Sequence, residues 1–572
     1  MIFPAASLGR RTPNVWDLAA LLVVFGALVG VAHVAGETFV KITAPHAITV
    51  NLNPANLPNY AVRTTLRMFA ALVASLIFTF TYGTAAAKSR RAAVVLVPLL
   101  DILQSVPILG FLTFTVVFFM SLFPGRVLGL ELASIFAIFT GQAWNMAFSI
   151  YQSLRTVPQD LEEAAHSYRL TAWQRFWRLE VPFAVPGLVW NTMMSMSGGW
   201  FFVVASEAVT VGDTTWTLPG IGSYVAMALQ KRDIGAVGWA ILTMAVVILL
   251  YDQLLFRPLV AWSTKFRFET TEGATAADPW VLKLLRRTRV LALTGEALGL
   301  GLRTIGGWPL KLAPLPIRPK WQIPSKALDV VLLGILLAAL SFATQRIVSF
   351  LSGHMTWAEF GHVILLGVFT LIRVAILIIL ASLVWVPIGV WLGLRPLWAR
   401  RAQPIAQFLA AFPANLLYPP VVLFIVFFHL SPDIWLTPLM ILGTQWYILF
   451  NVIAGAAAFP GDMQEAAKSF RLTGWLWWRK VMIPGILPYY VTGALTASGG
   501  SWNAAIVAEV ASWGDTTLKA HGLGAYIADA TSAGNMAHVV FGVAVMSLFV
   551  LVLNRTVWRP LYDYASRRLT LG

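Results

Sequence analysis

The chain has 572 residues, of which 58% are hydrophobic and 12% charged, with no cysteine and a formal net charge of +16. A soluble domain carries about 25% charged residues, so an ordinary soluble globular protein is excluded, and the missing cysteines exclude disulfides, thiol catalysis and thiolate metal sites. The cations fall in short stretches between apolar runs, a pattern that fits the positive-inside bias of a membrane protein and argues against a nucleic-acid partner.

In chain order, Arg10 and Arg11 precede a first apolar run at 17–35. This places the N-terminus on the cytoplasmic side and reads the first span as retained. Further spans are predicted at 61–87, 93–121, 131–152, 184–210 and 236–260. A second series follows at 327–346, 363–394, 404–429, 434–456, 486–512 and 536–557. Crossing a bilayer takes about 20 residues, which these runs approach or exceed. The expected fold is an all-α polytopic membrane protein of two fused homologous units, each with about six transmembrane helices. The first unit covers 1–262, a basic cytoplasmic linker 263–326, and the second unit 327–572. The linker holds eleven Lys/Arg against four Asp/Glu. Residues 280–310 within it read either as an amphipathic helix on the anionic inner leaflet or as a solvated connection.

The repeat organises the sequence. Glu163-Ala164-Ala165 returns as Glu465-Ala466-Ala467 at an offset of 302. That offset also pairs Arg169 with Arg471, Pro182 with Pro484, Trp200 with Trp502, Glu207 with Glu509, and Tyr224 with Tyr526. Upstream the register moves to 306, pairing Pro98 with Pro404 and Pro107 with Pro413. An even number of spans per unit gives both units one orientation, a parallel repeat about an axis along the membrane normal. Both chain termini are then cytoplasmic.

Between the fourth and fifth span of each unit lies a polar, helix-forming segment too charged to cross lipid. Asp160 and Glu163, like Asp462 and Glu465, are three apart just after a proline. That spacing predicts a capping box with Asp in place of Ser or Thr. The acids also suit the positive end of the helix dipole, and Pro182 and Pro484 are expected to stop the local helix.

Inside the spans, Trp200 and Glu207 are seven residues apart, as are Trp502 and Glu509, which puts each pair on one helix face. These four residues are candidates for a translocation pathway, with Glu207 near the end of its span. A structural hydrogen bond from each glutamate to the following loop is the competing and favoured reading. Ser197, Gly198 and Gly199, with Gly499, Gly500 and Ser501, permit either close helix approach or a backbone-lined pore. Arg67 and Arg373 are expected to snorkel to head groups. Asp101 and His429 read as hydrogen-bonding residues of the bundle interior. No residue set has the spacing of a catalytic or metal site, and no cofactor is expected.

The repeated Glu-Ala-Ala segment, followed by hydrophobic-x-hydrophobic-Pro, resembles the signature of ABC importer permeases. Trp200 to Glu207, and Gly220-Ile221-Gly222 with Tyr224, extend the likeness to the nitrate/sulfonate/bicarbonate group of type I importers, here tandem-duplicated. The resemblance implies that Glu163, Ala164, Ala165 and Arg169, with Glu465, Ala466, Ala467 and Arg471, lie on coupling helices that contact ATPase subunits. Arg169 and Arg471 stand where the family usually has glycine. No Gly-x4-Gly-Lys-Ser/Thr string occurs, so ATP hydrolysis falls to two separate subunits. A substrate-binding protein, a bacterial inner-membrane location and a small anionic solute are further implications. The rival reading is a secondary transporter driven by an ion gradient.

Overall fold

The computed structural model describes residues 50–211, 214–266, 357–514 and 516–568, with scattered positions between 280 and 356. The span expected at 17–35 and most of the linker at 263–326 lie outside the described residues, and of the span expected at 327–346 only scattered positions are described, all of them helical.

In the first unit, α1 spans Pro54–Lys88. It starts where Asn53 accepts the Ala55 N–H and proline takes the first helical position. Next come α2 (Arg90–Ser105), α3 (Ile108–Leu122), α4 (Val127–Arg155) and α5 (Gln159–Ser167). The long α6 covers 172–206, and an antiparallel hairpin of β1 (Ala208–Val211) and β2 (Thr214–Thr217) caps it. The unit closes with α7 (Ile221–Gln230) and α8 (Ile234–Ser263).

The second unit repeats this order. It comprises α9 (Trp357–Gly393), α10 (Pro396–Ala411), α11 (Tyr418–Phe427), α12 (Gln445–Ala457), α13 (Gly461–Ser469) and α14 (Gly474–Ala508). The hairpin of β3 (Val510–Trp513) and β4 (Thr516–Lys519), then α15 (Leu523–Ser532) and α16 (Met536–Ala565), complete it. Among the described residues six helices are long and apolar enough to cross a membrane, and three bent helix pairs raise the count to nine. The molecule is thus an all-α polytopic protein of two homologous units, with the hairpins as small additions.

Three predicted spans are broken. The run at 93–121 is the pair α2 and α3, bent by 97°, and the run at 404–429 bends by 78° between α10 and 414–427. Pro107 and Pro413 cause both bends. Each proline lacks an N–H and forces the residue before it into extended backbone, with Val106 at ψ 124° and Phe412 at ψ 125°. The run at 434–456 bends by 45° between Pro432–Met440 and α12. The apolar composition runs on through the bends.

Pro182 and Pro484 do not end their helices. A π-helical turn, Phe176–Glu180 or Trp478–Met482, lies just before each proline. There the Val181 N–H donates to the Phe176 carbonyl, and the Ile483 N–H to Trp478. The widened turn absorbs the donor that proline lacks, so the helix continues to Ser206 or Ala508.

The two units interlock. The Ile108 N–H donates to Asn503 at 2.7 Å, and the Asn415 amide donates to the Phe201 carbonyl at 3.3 Å. The Gly514 N–H reaches the Leu229 carbonyl at 3.1 Å. The largest core cluster accordingly draws on both units, from Ile108 and Leu112 in α3 to Ile506 and Val543.

Candidate functional site

The repeated polar segment forms α5 and α13, at the opposite end of α6 and α14 from the hairpins. Pro158 is the N-cap of α5, and its carbonyl accepts the N–H groups of Leu161 and Glu162. Pro460 caps α13 at nearly the same φ and ψ. Asp160 and Asp462 therefore lie inside the first turn and make no cap hydrogen bond. The capping box predicted there does not form, because proline already holds the cap position. A capping box occurs one step later, where the Thr171 hydroxyl accepts the Gln174 N–H and the Gln174 side chain accepts the Thr171 N–H.

Both helices end alike. The Arg169 N–H donates to His166, and the Leu170 N–H to Ala165; in α13 the Arg471 N–H donates to Lys468, and the Leu472 N–H to Ala467. This is a Schellman ending, whose left-handed residue is most often glycine. Here arginine takes it, at φ 52° in both copies. The Glu-Ala-Ala triplets divide by face: Ala165 and Ala467 are buried, while Glu163, Ala164, Glu465 and Ala466 are exposed. Arg169 and Arg471 are exposed as well, beside Tyr168 at 81% and Phe470 at 78% exposure. The joining stretch touches this end of the first unit, where the Gln174 amide donates to the Gly307 carbonyl at 2.9 Å.

At the hairpin end, Glu207 and Glu509 follow directly on α6 and α14, and both are buried. Thr64 donates to Glu207 at 2.6 Å, Arg67 at 2.7 Å, and the Gly222 N–H at 2.6 Å. In the second unit Thr370 donates to Glu509 at 2.9 Å, Arg373 at 3.1 Å, and the Gly524 N–H at 2.7 Å. Each glutamate thus ties a helix end to the loop and helix that follow. Arg67 and Arg373 do not snorkel. Arg67 is 3% exposed and also grips Glu131, while Arg373 adds Asp433 at 2.8 Å. Two carboxylates around each guanidinium outweigh the pull of an interface. Trp200 and Trp502 are buried against Tyr251 and Phe549, and their indole N–H groups have no acceptor among the described residues. His429 is exposed, in the left-handed residue that ends α11 at φ 51°, which corrects the interior position expected of it. The side chain of Asp101 lies outside the described residues.

A cleft lies between the units, with about 550 Å³ of space not filled by protein atoms, part of it open to solvent. None of Trp200, Glu207, Trp502 and Glu509 lines it. The small residues beside the tryptophans do: Ser197, Gly198 and Gly500 open onto it, whereas Gly199 packs on Met68 and Ser501 hydrogen-bonds to Thr444. Sequence spacing therefore found the helix, but the face on the cleft is the one turned from Trp200. The adjacent pair of small residues was the available signal.

The family described as binding-protein-dependent transport system inner membrane component matches the chain twice, at residues 79–256 and 385–570. Individual relatives include the nitrate import permease protein NrtB of Leptolyngbya laminosa, 27% identical over 32% of this chain and 63% of the relative. The bicarbonate transport system permease protein CmpB of Synechocystis is 30% identical over 31% of this chain and 60% of the relative. The glycine betaine/carnitine transport permease protein GbuB of Listeria monocytogenes is 28% identical over 33% and 62%. The match thus spans less than two thirds of each relative's length. Two family matches in one chain, on two units with the same element order, make this polypeptide a member of the binding-protein-dependent inner membrane component family that carries the family's unit in tandem.

Proposed function

We propose that the chain supplies both membrane-spanning units of an ATP-binding-cassette importer in a bacterial inner membrane. Two separate ATPase subunits supply the energy, one beneath α5 and one beneath α13. ATP closes the ATPase pair, the two helices pass the movement into α6 and α14, and the cleft between the units changes the side to which it opens. A substrate-binding protein delivers the solute, for which the nitrate and bicarbonate permeases among the relatives favour a small anion such as nitrate or bicarbonate, and the sequence resemblance adds sulfonate.

One observation carries this reading. Two equivalent helices present the same exposed face, a glutamate, an alanine, an aromatic ring and an arginine, at the same end of both units. A single internal lever would need no second copy. The continuous helix from 172 to 206, and its counterpart Gly474–Ala508, joins each lever to the cleft without a flexible break.

The test uses the full chain captured from its own membrane. Vanadate-sensitive ATPase subunits are expected to copurify, and reconstituted vesicles are expected to take up solute only with ATP. The double variant Glu163→Lys, Glu465→Lys should keep its fold and lose both. Uptake driven by a proton or sodium gradient without any ATPase would overturn the proposal.

A further inference from the structure

The two units share a sequence offset of 302, yet the cleft does not share their symmetry. Ala504 lines it, and its counterpart in the first unit is Phe202. Gly443 lines it too, and its counterpart is Gly141. A Cβ on Gly141 would stand 2.7 Å from the Phe202 ring, whereas one on Gly443 would meet only Ala414, at 3.7 Å. The phenyl ring that packs over Gly141 is absent over Gly443, where Ala504 leaves space. One half of the axis is plugged and the other is open.

The open half has a definite chemistry. Phe201, Phe202, Phe412, Tyr418 and Tyr447 contribute rings to its wall, and among the described residues no charged side chain lines it. Its polar groups are few and neutral, among them the Tyr447 hydroxyl facing Gly198, and Asn503. A small inorganic oxyanion entering such a space would shed water without gaining a cation, which is costly. Pockets with mostly apolar, aromatic walls and a few placed polar groups suit organic ligands. A planar ring gains from contact with other rings.

We propose that the cleft is a single off-axis binding site for an aromatic organic solute. The rings of Phe201, Phe412 and Tyr418 take its body, and the Tyr447 hydroxyl takes its polar end, since Asn503 is already held by the Ile108 N–H and the Gly499 carbonyl. This rests on the reading of the cleft as a solute pathway, and it favours an aromatic solute over nitrate or bicarbonate. Recognition is by the ring, so an anionic and a neutral solute of the same body both bind.

The full chain in lipid nanodiscs is titrated calorimetrically with benzenesulfonate, benzamide, nitrate and bicarbonate. The expected result is one site per chain for the two aromatic probes, with both inorganic anions at least about tenfold weaker. Ala504→Phe, which copies the plug of the first unit, should abolish aromatic binding, and Tyr447→Phe should weaken it about tenfold, the loss of one hydrogen bond of ~1.4 kcal/mol. Inorganic anions binding as well as the aromatic probes, two sites per chain, no aromatic binding to the folded wild type, or unchanged binding in both variants would each overturn the proposal. ATPase copurification is scored on the same preparation. Its loss with aromatic binding intact counts against the importer reading alone, and the reverse counts against the aromatic site alone.

Discussion

The guanidinium of Arg67 donates to the carboxylate of Glu207 at 2.7 Å across 140 residues of sequence, with 3% and 0% of their side chains exposed. Arg373 and Glu509 repeat the contact at 3.1 Å, but Arg373 is 12% exposed and its second partner Asp433 is 39% exposed. The same lock is therefore dry in one unit and partly wet in the other.

That difference orders two substitutions. Removing one partner of a buried ion pair costs about 3–5 kcal/mol, because the other charge stays buried and uncompensated. Arg67→Ala leaves Glu131 and Glu207 in that state and should lose this full amount. Arg373→Ala should lose clearly less, since water reaches Asp433. Thermal unfolding followed by tryptophan fluorescence in nanodiscs, run on both variants, checks the order. Equal losses would contradict it.

Thr64 performs two tasks with one hydroxyl. It donates to Glu207 and accepts the Ile221 N–H at 3.0 Å. Thr64→Val conserves shape, strands the Ile221 N–H and takes one of three donors from Glu207, and a buried unpaired polar group costs about 1–3 kcal/mol. Thr64→Ser keeps the hydroxyl and should recover most of that loss in the same melting assay.

Gly222 sits where a Cβ would stand 2.2 Å from the Val204 carbonyl oxygen, and Gly524 where it would stand 2.4 Å from that of Ala505. Both obstacles are backbone, so neither can swing aside. Gly222→Ala and Gly524→Ala should each force α7 or α15 off its seat, at a cost of about 1–3 kcal/mol for overpacking. Gly238→Ala, with open space around it, is the control and should melt like the wild type.

Arg169 and Arg471 hold left-handed backbone at a cost of about 1–2 kcal/mol each. Arg169→Gly and Arg471→Gly should therefore raise the melting temperature. If the exposed arginines serve the proposed ATPase contact, the double variant will at the same time retain less ATPase on copurification. A rise in stability with undiminished ATPase would show that the cations do nothing at that surface.

The repeat was legible because it needs only comparison of the chain with itself, and it gave the two units, the paired α5 and α13, and the equivalence of Glu207 with Glu509. Bends at Pro107 and Pro413 were not read from an apolar run that continues through them. The partners of Arg67 were out of reach for another reason: Glu131 and Glu207 come close only through packing of α1 on α4 and the end of α6, and no local spacing encodes that. Position 202 shows the same limit. A phenylalanine aligned with an alanine looks like ordinary drift until the structure places one over Gly141 and leaves the space beyond the other open.

The π-helical turns at Phe176–Glu180 and Trp478–Met482 have a further consequence. One residue corresponds to about 100° of helix rotation, so the stretch between each Schellman ending and the cleft works as a gear with a fixed tooth count. Dropping a single residue from either turn would leave the rod unbroken and roll its far end by one position, bringing Gly199 or Ser501 into the wall in place of Gly198 or Gly500 and setting the indole of Trp200 or Trp502 where Gly199 packs on Met68 or Ser501 meets Thr444. Length in this stretch is therefore set to the residue, and natural insertions should be found only outside it.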